Sequence, residues 1–292
     1  FSEPIFPPPS AREQHLSAAT SHHVQLVHAL LEQLGHGPTH QVCLAGLRHA
    51  PTIVFAEPGF EPGQSASAVP HRQQRGAWLW QGGHAELIDW LHRHPARRVQ
   101  DPGAALPVEA TRDLSPGTVV DFCAGRGTKA VQLATLHPHA RVVAADPDPA
   151  RYLALREVAQ RHENLTAVRP DSVIEACGGS AKVDLLLLDV PCSNTAVLAR
   201  RSEARYRHSQ RNTESLVALQ REIAQAALPL LAEGGHLLYA TCSLLREENQ
   251  DQTNWLADRF GLEPVREELT LPDGVDRSYQ DGSYYALLRR LN

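Results

Sequence analysis

Apolar positions make the first division of the chain. From Arg12 to about Leu34 they fall at helical spacing, with Val24, Val27, Leu30, Leu31 and Leu34 on one face, and Gly35 and Gly37 stop the pattern. Residues 50–56 (APTIVFA) and 76–82 (GAWLWQG) read as strands, 60–70 (FEPGQSASAVP) as loop and 85–94 (AELIDWLHRH) as a helix. With a Pro-rich, loose first ten residues, this predicts a small α+β unit over 1–97. The segment QDPGAALP (100–107) changes the texture, and a second unit is expected over 98–292.

In that second unit short apolar runs alternate with amphipathic segments. Strands are predicted at 117–123, 140–146, 164–171, 183–190, 234–243 and 283–291, and helices at 129–137, 149–162, 216–231 and 246–260. The alternation means βαβ units and a mostly parallel sheet, an α/β fold. Ligands of such sheets bind beyond the carboxyl ends of the strands. The chemically distinctive residues fall at that edge.

Composition narrows the class. Apolar residues at 42% and charged residues at 21% are ordinary for a globular chain. No apolar run approaches the roughly 18–20 residues that span a bilayer, and the first residues lack the basic start and apolar core of a signal peptide. The expectation is a cytoplasmic monomer with no membrane partner. The five cysteines are scattered without C-x-x-C or Cys/His ligand spacing, so neither a disulfide frame nor a metal site is predicted. A net charge of −5 argues against a general nucleic-acid binder. Local charge matters more: Arg200, Arg201, Arg205, Arg207 and Arg211 crowd one segment.

The stretch DFCAGRGTKA (121–130) is a strand, a glycine turn and a helix start, with Gly125, Gly127 and Ala130 in a G-x-G-x-x-A pattern. Asp146 ends the next strand, where a carboxylate can hold ribose hydroxyls, and Asp171 follows the third, where an adenine edge is read. A nicotinamide dinucleotide and S-adenosylmethionine both fit this description. A dinucleotide needs helix-terminal N–H groups for its pyrophosphate, whereas Asp121 suits an ammonium, which favours the methyl donor.

Two further strands end in thiols, Asp189-Val190-Pro191-Cys192 and Thr241-Cys242-Ser243. The strand order expected of a doubly wound methyltransferase sets them side by side. Cys43, Cys123 and Cys177 are read as small apolar packing residues. Carbon 5 of a pyrimidine is too poor a nucleophile to take a methyl group directly. A thiolate adding at carbon 6 makes the ring an enamine that can, which is covalent catalysis. An acid near N3, such as Asp189, stabilises the charge that develops, and the arginines beyond it suit a phosphate backbone.

LLLLDVPCSNTAVLARR and LLYATCSLLREEN resemble the two cysteine motifs of the Sun-type (RsmB-like) family of RNA cytosine-C5 methyltransferases. VQDPGAALPV, DFCAGRGTKA and DGSYYALL resemble three more motifs of that family, in the same order, so the likeness covers about residues 98–292. It implies a Rossmann-like S-adenosylmethionine-dependent methyltransferase domain with an N-terminal α+β RNA-contacting extension. It also implies Cys242 as nucleophile, Cys192 as the residue that helps release product, Asp189 as the motif acid, and Lys129 beside them. Cofactor contacts fall on Cys123, Ala124, Gly125, Gly127, Lys129, Asp146, Asp171 and Asp189. The implied partner is RNA, small-subunit ribosomal RNA first and tRNA second.

The chain departs from the family at Gly125-Arg126-Gly127-Thr128, usually A-P-G-G, and at Asn194 and Ala196, usually glycines. Asn194 tolerates a left-handed backbone. One long helix is predicted before residue 98, so no separate NusB-like domain is expected there. Two rivals stand against this reading. An NAD-dependent oxidoreductase leaves both strand-end cysteines idle. A non-catalytic RNA-binding relative would have lost Cys242.

Overall fold

The computed structural model describes residues 12–61 and 67–291. The first ten residues and part of the 60–70 loop lie outside them. Three helices come first, α1 (Arg12–Thr20), α2 (Val24–Leu34) and α3 (His36–Ala45). The predicted single helix therefore breaks. Ser21 takes a left-handed φ of 54°, the Thr20 and Ser17 hydroxyls bond Leu16 O and His22 O, and His23 N–H turns away to Arg205 O (3.1 Å). Gly35, at φ 77°, both ends α2 and starts α3 with no linker. Leu26, Val27 and Leu30 form the buried face of α2, while Val24 is exposed.

Next come β1 (Ile53–Phe55), β2 (Ala68–Pro70), β3 (Ala77–Trp80), α4 (His84–His92) and β4 (Arg98–Val99). The four strands form an antiparallel sheet of order β2-β3-β1-β4, and β4 lies across the expected boundary at residue 97. One face packs Trp78 and Trp80 against Leu87 and Trp90 of α4. The other sets Phe55 and Leu79 against Ala105 and Tyr279 of the larger unit.

The larger unit begins with α5 (Pro102–Glu109), absent from the predicted elements although Asp101 caps it and Pro102 opens it. Then follow β5 (Thr118–Asp121), α6 (Thr128–Leu136), β6 (Arg141–Ala145), α7 (Pro149–Ala159), β7 (Leu165–Val168), α8 (Val173–Ala176) and β8 (Val183–Asp189). The remainder is α9 (Ala204–Arg207), α10 (Gln210–Ala227), β9 (Leu231–Thr241), α11 (Gln250–Phe260), β10 (Leu262–Thr270) and β11 (Ser283–Arg290). The seven-stranded sheet runs β10-β11-β9-β8-β5-β6-β7. Its strands from β9 to β7 are parallel, and β10 and β11 are antiparallel additions.

The α/β class and strand order agree with the sequence reading. Leu185 to Leu188 of β8 are wholly buried, alternately against the cores on the sheet's two faces. Such burial contributes about 1.5–3 kcal/mol per leucine and fixes β8 at the centre. Register then does the chemical work. Asp121 pairs with Leu187, and Asp189 with Ala240. Residues just past Asp189 and Ala240 therefore emerge together at one edge.

Candidate active site

The turn after β5 is built by two glycines. Gly125 (φ 57°) and Gly127 (φ 93°) are left-handed, and a Cβ on Gly127 would come within 2.9 Å of Leu155. Ala124 N–H donates to Ala145 O (2.9 Å) and Gly125 N–H to Asp146 Oδ2 (2.9 Å), tying the turn to the end of β6. Asp146 also accepts from Asp148 N–H (2.9 Å), so this buried carboxylate braces the glycine turn. Asp171 is exposed in a short turn beyond β7 and accepts the Ser172 hydroxyl (3.2 Å).

Asp121, at the end of β5, is wholly buried, and neither carboxyl oxygen has a well-formed hydrogen bond. Burial first, then the Asp189 and Asp146 carboxylates, push its carboxyl up to about 8 against the pull of Lys129 and the Cys123 N–H. Burial and the same three carboxylates push the Cys123 thiol up. Lys129, on α6, donates to Asp189 Oδ2 at 2.7 Å. Burial works against its charge, but attraction to Asp189, Cys242 and Asp121 prevails and holds it above its ordinary value.

Beyond β8 and β9 the two thiols meet. Cys192 Sγ lies 2.6 Å from Cys242 Sγ, and the Cys242 thiol also reaches Asn194 Oδ1 at 3.0 Å. The contact with Cys242, burial and Glu248 push the Cys192 thiol well up. Asn194 takes the left-handed backbone (φ 62°). Ala196 does not; it binds back to Cys242 O (3.0 Å) and accepts from Gly282 N–H (2.9 Å).

Sequence reading missed the buried polar cluster beneath these loops. Glu248, just before α11, accepts from Ser193 N–H (2.9 Å), the Ser243 hydroxyl (2.5 Å) and Gln220 of α10 (3.1 Å). Asn249 accepts the Thr241 hydroxyl (2.6 Å) and donates to Ser243 O (2.9 Å). The signal was present in R-E-E-N, directly after the second thiol: an acid and an amide where apolar residues would suit a buried turn.

The five arginines divide. Arg201, Arg207 and Arg211 are exposed. Arg205 turns inward to Gly46 O. Arg200 joins Asp281 (2.5 Å) and Asp101 (2.9 Å), two buried carboxylates. A cavity of about 390 Å³ opens between Cys192–Thr195 and the start of α10, with Arg207, His208 and Asn212 on its wall. Among the described residues no three metal-ligating side chains gather, and no helix is long and apolar enough to cross a membrane.

Residues 113–286 match the family described as 16S rRNA methyltransferase RsmB/F. Ribosomal RNA small subunit methyltransferase B of Erwinia tasmaniensis is 35% identical over 198 residues, covering 65% of this chain and 46% of that protein. The chain thus spans about half the length of the curated relatives it matches, or less. Among solved structures, a methyltransferase homolog protein from Pyrococcus horikoshii aligns with a TM-score of 0.73 at 18% identity, covering 98% of this chain and 100% of that one. The structure of PH0851 aligns at 0.76 and 22% identity, covering 97% and 69%. These two likenesses show that the fold is shared over nearly the whole chain.

Proposed function

Because the chain belongs to the RsmB/F family of rRNA methyltransferases, we propose that it forms 5-methylcytosine in RNA, with small-subunit ribosomal RNA as substrate and S-adenosylmethionine as donor. The observation that carries this reading is the meeting of Cys192 and Cys242 at adjacent strand ends, beside the Lys129–Asp189 pair. A dinucleotide oxidoreductase has no use for that arrangement.

The donor fits the residues present. Asp121 is a buried acid without a well-formed partner, matched to an ammonium and ill-suited to a phosphate. The donor would be held by Asp121 with the turn Cys123, Ala124, Gly125 and Gly127, and by Lys129, Asp146, Asp171 and Asp189. When bound, it supplies the methyl group that carbon 5 of the base takes up.

The chain's own groups do the rest. The Cys242 thiolate adds to carbon 6 of a flipped-out or single-stranded cytosine, and the ring electrons move towards N3. Asp189, with Lys129 bonded to it, holds the proton and charge at that atom. Once carbon 5 is methylated, its proton leaves to a base, the carbon 5–carbon 6 double bond re-forms, and Cys242 departs as the thiolate. Cys192, protonated and touching Cys242, serves that release. The chain up to and including β4 serves as the RNA-contacting extension, and the larger unit from α5 onward as the catalytic unit.

The test uses small-subunit RNA lacking the modification, a labelled donor and nucleoside analysis of the product. Label in 5-methylcytidine is expected with the native chain, and none with Cys242→Ala. Cys192→Ala should accumulate a protein–RNA adduct stable on denaturing gels. Full activity of Cys242→Ala would sink the reading, and label appearing only in tRNA would overturn the substrate.

A further inference from the structure

The catalytic reading assigns both thiols but leaves Glu248 unused. This side chain is wholly buried, and burying a carboxylate is costly unless its partners repay it. Three donors converge on it from three separate segments. Ser193 N–H, at 2.9 Å, is the residue after Cys192. The Ser243 hydroxyl, at 2.5 Å, is the residue after Cys242. Gln220 Nε2, at 3.1 Å, comes from α10. Gln220 also donates to Pro191 O (3.0 Å), the residue before Cys192. The phenol of Tyr239, on β9, bonds both Gln220 Oε1 (3.2 Å) and Glu248 O (2.8 Å), which fixes the acid's own backbone.

Strand register alone brings the cysteine loops to the same edge, not into contact. Cys192 sits three residues past Asp189, the last paired position of β8, and Cys242 one past Thr241, the last of β9, so neither thiol lies within the ladder. Direct bonds cross between the loops, Ala196 N–H to Cys242 O (3.0 Å) and the Ser193 to the Ser243 hydroxyl (3.0 Å), and one anionic acceptor shared by the next residue of each loop ties them from beneath.

We infer that Glu248 is the positioning residue of the site, its carboxylate drawing the Cys192 and Cys242 loops together so that the two thiols stay in contact. This deepens the methyl-transfer reading and rests on it for its purpose. The geometric claim is separable. Glu248 makes no hydrogen bond to either thiol, to Asp189 or to Lys129; it acts on the Cys192 thiol only as a nearby charge, and its hold on the two loops passes through Ser193 and Ser243.

The experiment needs no RNA and no donor, so its failure is distinct from failure of the catalytic reading. The intact chain is treated with diamide, and formation of a Cys192–Cys242 disulfide is followed by mass spectrometry. The two thiols lose two protons and two electrons, and the diazene becomes the hydrazine. The rate is divided by that of Cys242 alkylation by iodoacetamide, which separates thiol proximity from thiol reactivity.

Removing a charged acceptor from buried donors is expected to slow disulfide formation about tenfold in Glu248→Ala on this ratio. Glu248→Gln, which keeps one acceptor oxygen, should recover part of it. A ratio unchanged in a folded Glu248→Ala overturns the assignment. If that variant does not fold, Glu248→Gln measured against the native chain decides, because it removes the charge and one acceptor oxygen and leaves the side chain's shape and the direct bonds between the loops in place. A slowed ratio supports the assignment, and an unchanged one overturns it. In the methylation assay the same variants should lose kcat and keep the KM for the donor.

Discussion

At the scale of single residues the most expensive group is Asp121, a carboxyl with neither solvent nor a well-formed partner. Asp189 and Asp146 face it with like charge, and Lys129 with opposite charge. Its folded pKa of about 8 lies above the ordinary 3.8. Its contribution to the stability of the free protein is therefore full below the ordinary value and is lost as pH rises through about 8. Below that pH the free site holds a proton that must leave before an ammonium can be received. Affinity for S-adenosylhomocysteine should thus rise by up to about tenfold per pH unit towards 8. It should then fall as the ligand's own amine, with an ordinary pKa of about 7.7–8.0, loses its proton. Calorimetric titration from about pH 6 to 9.5 checks this. Asp121→Asn should remove the rising limb, and a flat native profile would contradict the assignment.

At the scale of elements, the legible parts were those whose burial is periodic. β5, β6, β8, β9 and β11 are apolar runs and could be read directly. The edge strand β10 could not: Glu263, Pro264, Val265, Arg266 and Glu267 are exposed, so no apolar pattern marks it. The split between α1 and α2 depends on side-chain bonds at Ser17 and Thr20 that periodicity does not encode. The thiols and Asp189 were legible because they end apolar strands. Glu248 was not, because its partners come from three distant segments.

Arg200 shows the same limit. Read from its neighbours, it belonged to a phosphate-gripping cluster; in the fold it clamps Asp101, the cap of α5, to Asp281, just before β11. Burial and Asp101 raise the Asp281 carboxyl to about 6, against the pull of Arg200 and Tyr279. Arg200→Ala leaves these buried carboxylates uncompensated, and should cost about 3 kcal/mol near neutral pH. Asp281 takes up a proton as pH falls below about 6, which removes one uncompensated charge. The loss measured by denaturant unfolding should therefore be smaller at about pH 5 than at about pH 8. An equal loss at both would mean that the clamp is not electrostatic.

At the scale of the whole molecule, the proposed function asks an acidic chain to hold an anionic polymer. The net charge is −5, so binding has to be local. The structure divides the arginine segment into an inward pair, Arg200 and Arg205, and an outward set, Arg201, Arg207 and Arg211, of which Arg207 lines the cavity that borders Cys192. The N-terminal helices reinforce this division. Leu26, Leu30 and Val42 pack on Ala196, Leu198 and Leu244, so the same bundle that receives Arg205 also braces the segments following both thiols. If the outward set grips phosphates, each side chain releases counterions on binding. Arg207→Ala and Arg211→Ala should each reduce the slope of log affinity against log salt by about 0.7–0.9, and weaken different RNA sequences alike. Arg205→Met should leave the slope unchanged, because its guanidinium already serves Gly46. Filter binding at several salt concentrations measures both. If Arg205→Met lowered the slope as much as the outward variants, the division would fail, and the whole segment would act as one patch.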